Sequence, residues 1–147
     1  MRTFIAVLIA IAAGCDRTLD RPIHFVVPDE FSGPFVIVSN SSYADVIEKH
    51  SNRYELAVPS SGIIRTKSID IFCHWHKTTA AYQSGKPFPT DKSGAPLLYG
   101  GPTSGKDNKT IISWYYVGPY DEFKVFMYDD LYGRKQSQWL RENGVEY

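Results

Sequence analysis

Short runs of consecutive β-branched and aromatic residues restrict the fold of this chain more than any other feature. The clearest runs are residues 23–27, 34–38 and 111–117. Such side chains suit a pleated, half-buried surface better than a helix face, and turn-forming residues separate the runs. The first two runs are apolar on successive residues, so both of their faces should be covered. This pattern predicts strands at the centre of a sheet.

The middle of the chain carries further strand patterns. Residues 54–58 alternate between apolar and polar side chains, and a turn at residues 59–62 leads into residues 63–66, which predicts a hairpin. Residues 69–75 alternate as well, so a strand there would place Cys73 on its core-facing side. Aromatic residues make up 14% of the chain, which adds to the β tendency.

The remaining segments are less regular. Residues 41–52 fit a short helix or a loop equally well, and residues 85–108 form a long segment rich in Pro and Gly. Residues 123–128 are compatible with another strand, whereas residues 131–143 indicate a helix with Trp139 and Leu140 facing inward. The sequence therefore predicts a mostly β fold, an antiparallel β sandwich or barrel-like domain with a short C-terminal helix.

The N-terminus has the pattern of an export signal. Arg2 is followed by an entirely apolar run at residues 4–13, with small residues at its far end. This run is too short to span a bilayer permanently, because a spanning helix needs roughly 20 residues. The pattern predicts a signal peptide that is cleaved from the mature protein.

Residues 12–15 read Ala12-Ala13-Gly14-Cys15 and resemble the bacterial lipobox, although Ala12 stands where the lipobox usually has Leu. The resemblance implies that Cys15 is acylated and becomes the new N-terminus of a protein anchored to the bacterial membrane. It divides the chain into a lipoprotein signal peptide (1–14), a tether (15–21) and a single β-rich domain (22–147). Cleavage after Ala12 or Ala13 by an ordinary signal peptidase is the alternative.

Lipidation would use the thiol of Cys15, so we expect no disulfide between Cys15 and Cys73. Three segments also resemble a family of uncharacterised exported bacterial domains. They are Val26-Val27-Pro28-Asp29-Glu30-Phe31-Ser32-Gly33, Val58-Pro59-Ser60-Ser61-Gly62-Ile63-Ile64-Arg65-Thr66 and Trp114-Tyr115-Tyr116-Val117-Gly118. They contain turn and strand residues without a catalytic group, so the resemblance implies no particular activity.

Two patterns argue against nucleic acids and nucleotides as partners. The formal net charge is zero, so a basic surface for nucleic acid is not expected. Residues 100–107 nearly match a phosphate-binding loop, but Asp107 occupies the Ser/Thr position. The residues that follow also resemble a strand, where that motif requires the start of a helix.

A metal site is conceivable on the predicted strand at residues 69–75. Asp70, His74 and His76 would share one face of that strand, opposite Cys73. Partly exposed histidines on a sheet explain the pattern more simply, so we expect no cofactor. A metal-dependent envelope enzyme that uses His74 and His76 is therefore the alternative function.

The C-terminal third is rich in tyrosine. An exposed face formed by these residues could bind a glycan or an envelope protein, whereas cross-strand packing would place them in the core. The residues are Tyr115, Tyr116, Tyr120, Tyr128 and Tyr132. Together with the anchor, this predicts a lipoprotein that serves as a non-enzymatic binding or structural module of the cell envelope.

Overall fold

The structure, a computed structural model, describes residues 21–68, 70–73, 76–105, 109–129 and 133–145. The signal peptide, Cys15 and most of the tether lie outside these ranges. The described residues form strands, a 3-10 helix at Asp70–Cys73 and two α-helices. The strands are β1 (Ile23–Val27), β2 (Gly33–Asn40), β3 (Glu48–Lys49), β4 (Tyr54–Ala57), β5 (Ile63–Thr66), β6 (Thr78–Tyr82), β7 (Leu98–Gly105) and β8 (Thr110–Val117), and the helices are α1 (Tyr120–Tyr128) and α2 (Arg134–Glu142).

The strands form two four-stranded sheets. The first sheet has the order β3-β4-β1-β6, and the second has the order β5-β2-β8-β7. Strand β1 runs parallel to both of its neighbours, and β2 runs parallel to β5 but antiparallel to β8. Both sheets are therefore mixed, and they do not close into a barrel. The mostly β prediction is confirmed, whereas the prediction of antiparallel sheets is wrong.

The mixed pairing follows from the path of the chain, which changes sheets between successive strands. The predicted hairpin at residues 54–66 is wrong for this reason, because β4 belongs to the first sheet and β5 to the second. The turn that joins them is closed by a hydrogen bond from Gly62 N to Pro59 O (2.9 Å). Gly62 has a φ of +70° there, which favours glycine. The turn itself was predicted correctly, but it connects two sheets.

The structure also differs from the predicted strand at residues 69–75. Residues Asp70–Cys73 form a 3-10 helix, so the two-residue alternation that would place Asp70 opposite Cys73 does not apply. Within this helix Phe72 is buried in the core between the sheets. Ile69, His74 and Trp75 lie outside the described residues.

The C-terminal segments form a helical layer. Residues 123–128 belong to helix α1 and not to a strand, because Phe123 and Met127, four residues apart, bury one helix face against the second sheet. The predicted C-terminal helix is confirmed as α2, with Leu140 buried and Trp139 packed against the same cluster. Within the described residues, no helix is long and apolar enough to cross a membrane.

Two hydrophobic clusters lie on opposite faces of the second sheet. Phe35, Ile37 and Tyr115 face the first sheet, whereas Val36 and Trp114 face the helices. Both faces of β2 are therefore covered, as its sequence predicts. The result is three layers in the order first sheet, second sheet, helices.

An aromatic cluster joins the two sheets. Phe25 from β1 lies 5.1 Å from Phe35 and 4.8 Å from Tyr115 between ring centroids. Phe35 and Tyr115 stack at 5.2 Å with an interplanar angle of 14°. Phe25 and Phe35 are fully buried, and Tyr115 is 3% exposed. These three rings form the centre of the core between the sheets.

We expect Phe35→Ala to lower the free energy of unfolding by about 3–5 kcal/mol, because it removes a fully buried ring and leaves a cavity. Urea unfolding followed by circular dichroism measures the change. Val125→Ala is the control, because Val125 is 47% exposed and its truncation should cost less than about 0.5 kcal/mol. Equal losses in the two variants would contradict this assignment of the core.

Candidate functional site

A polar cavity of about 280 Å³ opens where the edges of the two sheets meet. Strand β6 is an edge strand of the first sheet, β7 is an edge strand of the second, and the two contact each other. The polar side chains of this hydroxyl-lined cavity are His76, Thr78, Thr103, Ser113 and Tyr115. The other described residues that line it are Phe72, Gly100, Gly101 and Trp114.

A β-bulge in β7 shapes one side of the cavity. Gly100 pairs with Tyr115 and Thr103 pairs with Ser113, so two residues of β7 lie opposite Trp114 alone. A bulge of this kind bends the strand and redirects the neighbouring side chains. Gly101 is the first residue of this bulge. A Cβ atom on Gly101 would lie 3.0 Å from Cβ of Trp114 and 2.9 Å from Cε of Met127. The close approach of β7 to β8 therefore requires glycine at position 101.

Tyr115 connects the aromatic cluster to the cavity. Its ring packs against both Phe25 and Phe35, and its hydroxyl lies 2.7 Å from Nε2 of His76. Burial raises the pKa of the Tyr115 hydroxyl, so this group stays protonated at physiological pH. His76 also contacts Phe72 edge to face, with 6.3 Å between ring centroids. The packed core thus holds a neutral hydroxyl at the inner end of the cavity.

Other hydroxyl groups lie on the same side of the second sheet. Thr103 donates a hydrogen bond to Oγ of Ser113 at 3.2 Å. Ser39, Thr66 and Ser113 are buried, and their positions alternate with core residues so that they face the first sheet. The Oγ of Ser39 has no hydrogen-bond partner among the described residues. The interior between the sheets therefore changes from apolar to hydroxyl-rich towards this end.

The described residues include only two of the three predicted metal residues. Asp70 lies in the 3-10 helix, His74 is outside the described residues, and His76 lines the cavity beside Tyr115. The face on which these three residues were expected to meet depended on a strand, and residues Asp70–Cys73 form a 3-10 helix instead. Because His74 lies outside the described residues, the joint metal site stays a prediction. The lipidation residue Cys15 also lies outside the described residues.

Pairing of β3 with β4 creates a metal-capable cluster that the sequence analysis did not identify. Potential ligand atoms of Glu48, His50 and Glu55 lie within 4.8 Å of one another. Glu48 is exposed, and Arg53 already donates to Oε2 of Glu55, at 2.9 Å from Nε. The geometry is that of a partly exposed network of ion pairs. Only the register between β3 and β4 brings Glu48 opposite Glu55, so local sequence gave no signal.

The glycine-rich segment that resembled a phosphate loop has a different structure. Gly100 to Gly105 belong to β7, and Thr110–Val117 form the strand that the sequence indicated. Residues 106–108 lie outside the described part of the chain. A glycine-rich strand here replaces the loop and following helix that phosphate binding would require.

The tyrosine-rich segment is divided between core and surface. Tyr115 and Tyr116 are 3% and 7% exposed, whereas Tyr120 and Tyr128 on α1 are 53% and 58% exposed. Tyr132 lies outside the described residues. The tyrosines of β8 therefore pack in the core, whereas those of α1 lie on the surface.

We expect Gly101→Ala to lower the free energy of unfolding by about 1–3 kcal/mol, because its Cβ would overlap Trp114. Gly100→Ala is the matched control in the same strand, since its Cβ would meet Tyr115 Cε1 at 3.8 Å, an ordinary contact. Thermal and urea unfolding of both variants give the comparison. A Gly101→Ala protein as stable as Gly100→Ala would disprove the close approach of β7 to β8.

Tyr115→Phe should change how stability depends on pH. The pKa of Tyr115 is raised in the folded state, so its contribution to stability is complete below the unfolded pKa of about 10 and is lost as pH rises above it. Tyr115→Phe has no hydroxyl to ionise, so it should not lose stability in this way at high pH. Near neutral pH it should be about 0.5–1.5 kcal/mol less stable than the wild type, because it lacks the hydrogen bond to His76. Its stability deficit should therefore shrink above pH 10 in urea unfolding, and a constant deficit would contradict the burial of this hydroxyl.

Comparison with known proteins shows similarity in fold. No protein-family model matches the sequence, and no curated protein matches it. A solved structure of a candidate lipoprotein from Bacillus anthracis superposes with a TM-score of 0.56. The two chains are 12% identical, and the match covers 89% of this chain and 98% of that chain. At this identity the similarity shows a shared fold.

Proposed function

We propose that this chain is an exported bacterial lipoprotein, anchored through acylated Cys15, that acts as a non-enzymatic binding module of the cell envelope. The observation that carries the binding role is the hydroxyl-lined cavity, whose polar groups are held by paired strands and an aromatic core. Groups that are fixed before a ligand arrives lose little conformational entropy on binding. A glycan or an envelope protein is the expected partner.

The lipobox-like residues 12–15 support the anchor, and the Bacillus anthracis structure adds a protein of the same fold that carries a lipoprotein assignment. Acyl chains contribute about 0.8 kcal/mol for each buried methylene, and two chains suffice for stable attachment. The tether residues after Cys15 can extend by roughly 20 Å. The cavity would thus operate close to the membrane surface.

The composition of the cavity favours binding over catalysis. Among the described residues that line it, no carboxylate, lysine or arginine is present. The Nε2 of His76 lies 2.7 Å from the hydroxyl of Tyr115, which burial keeps protonated. The alternative of a metal-dependent enzyme relied on a strand at residues 69–75, whereas residues Asp70–Cys73 form a 3-10 helix.

The anchor is tested by expressing the full chain in a bacterium and analysing the mature N-terminus by mass spectrometry. We expect an acylated Cys15 in the membrane fraction, and Cys15→Ala should remove the acyl mass and release the protein from the membrane. Cys73→Ala is the matched control, because it removes the other cysteine and should leave acylation intact. An unmodified terminus after Ala12 or Ala13, or membrane attachment of Cys15→Ala, would overturn the proposed anchor.

A further inference from the structure

We propose that the hydroxyl-lined cavity binds a single neutral sugar ring, either as a free monosaccharide or at the end of a glycan. This inference rests on the proposed binding role of the cavity and does not depend on the anchor. Four properties of the described residues support it: charge, hydrogen-bonding capacity, shape and size.

The charge of the lining favours an uncharged ligand. His76 is the only histidine among the described residues of the cavity, and its Nε2 lies 2.7 Å from the hydroxyl of Tyr115. Burying a charged ligand without an opposite charge is costly, because the lost hydration is not replaced. Among the described lining residues, no lysine or arginine is present to pair with a phosphate or carboxylate, and no carboxylate is present to pair with an amine.

The hydrogen-bonding groups match those of a sugar. Thr78, Thr103, Ser113 and Tyr115 each present a hydroxyl, which can donate one hydrogen bond and accept others. Sugar hydroxyls can also both donate and accept, so in each hydrogen bond between protein and sugar either hydroxyl can be the donor. A ligand that only donates or only accepts would leave part of this capacity unused, at a cost for each buried polar group left unpaired.

The position of these groups also suits a ring that enters from solvent. Thr103 is exposed at the outer end, whereas Tyr115 is buried at the inner end and is held there by Phe25 and Phe35. The ring of Phe72 provides an apolar surface beside His76. A sugar ring has polar edges and apolar C–H faces, so it can contact Phe72 with a face while its edge reaches the hydroxyls.

The volume limits the ligand to about one ring. Small-molecule sites usually measure about 300–1,000 Å³, and this cavity of about 280 Å³ lies just below that range. The Oγ of buried Ser39 lies on the same face of the second sheet as Ser113 and has no hydrogen-bond partner in the part of the chain that the structure describes, so the interior nearby also retains hydrogen-bonding capacity. A disaccharide would have to leave its second ring outside.

The test uses the full chain in detergent and saturation-transfer NMR with isothermal titration. The probes are D-glucose and N-acetylglucosamine, the methyl glycoside of each, D-glucuronate as a charged analogue, and N-acetylglycinamide as a neutral ligand without hydroxyls. We expect a neutral sugar to bind with a Kd below about 10 mM and glucuronate to bind at least about tenfold more weakly. Binding of the methyl glycoside as well would identify the end of a glycan as a ligand, whereas binding of the free sugar alone would identify a monosaccharide.

Variants locate the binding. Thr103→Val and Tyr115→Phe each remove one cavity hydroxyl with little change in shape, and each should weaken sugar binding about fivefold. Thr79→Val is the matched control, because Thr79 lies on the outer face of β6 and bonds His24. It should bind like the wild type. Circular dichroism confirms that each variant is folded before its affinity is compared.

The possible failures are distinguishable. Binding of N-acetylglycinamide or glucuronate in preference to the neutral sugars, with loss in Thr103→Val, would overturn the ligand class while leaving the binding role of the cavity intact. Sugar binding that survives both cavity variants would overturn the location. Absence of binding by every probe would overturn both this inference and the proposed binding role of the cavity. Neither result bears on the lipid anchor, which the Cys15 variants test separately.

Discussion

The contact between Phe25, Phe35 and Tyr115 holds the two sheets together and sets the position of the cavity. Burial of an aromatic side chain contributes about 1.5–3 kcal/mol, and favourable ring pairs add about 0.5–1.5 kcal/mol. Tyr115 belongs to this core through its ring and to the cavity through its hydroxyl. Packing that stabilises the fold therefore also orients the inner polar group of the site.

Local sequence predicted the strands whose composition is unambiguous. The runs that became β1, β2 and β8 are dense in β-branched and aromatic residues, and both faces of β2 are buried as expected. Partner choice could not be predicted, because β1 pairs in parallel with β4 and β6, which lie far along the chain. Strand β7 was not predicted, because its glycine and proline residues are typical of loops. Residues 123–128 of helix α1 were predicted to be compatible with a strand, because their aromatic residues outweighed the four-residue spacing of Phe123 and Met127.

The candidate site was predictable only in its components. From sequence, His76 was predicted as a metal ligand and Tyr115 as a residue of either the core or a binding surface, but the contact between them joins residues 39 positions apart. The cluster of Glu48, His50 and Glu55 was missed for the same reason, since it depends on the register of β3 with β4. Side chains that meet between paired strands or between sheets leave no periodic signal in one sequence.

The central claim is that a core-held tyrosine presents its hydroxyl to a ligand in a neutral, hydroxyl-lined cavity. The most direct measurement is a crystal structure of the full chain grown with N-acetylglucosamine or D-glucose. The account predicts a single sugar ring within hydrogen-bond distance of the Tyr115 or Thr103 hydroxyl, with Phe25 and Phe35 still packed on the tyrosine ring. A cavity filled by the protein's own side chains, or a sugar bound only elsewhere, would contradict it.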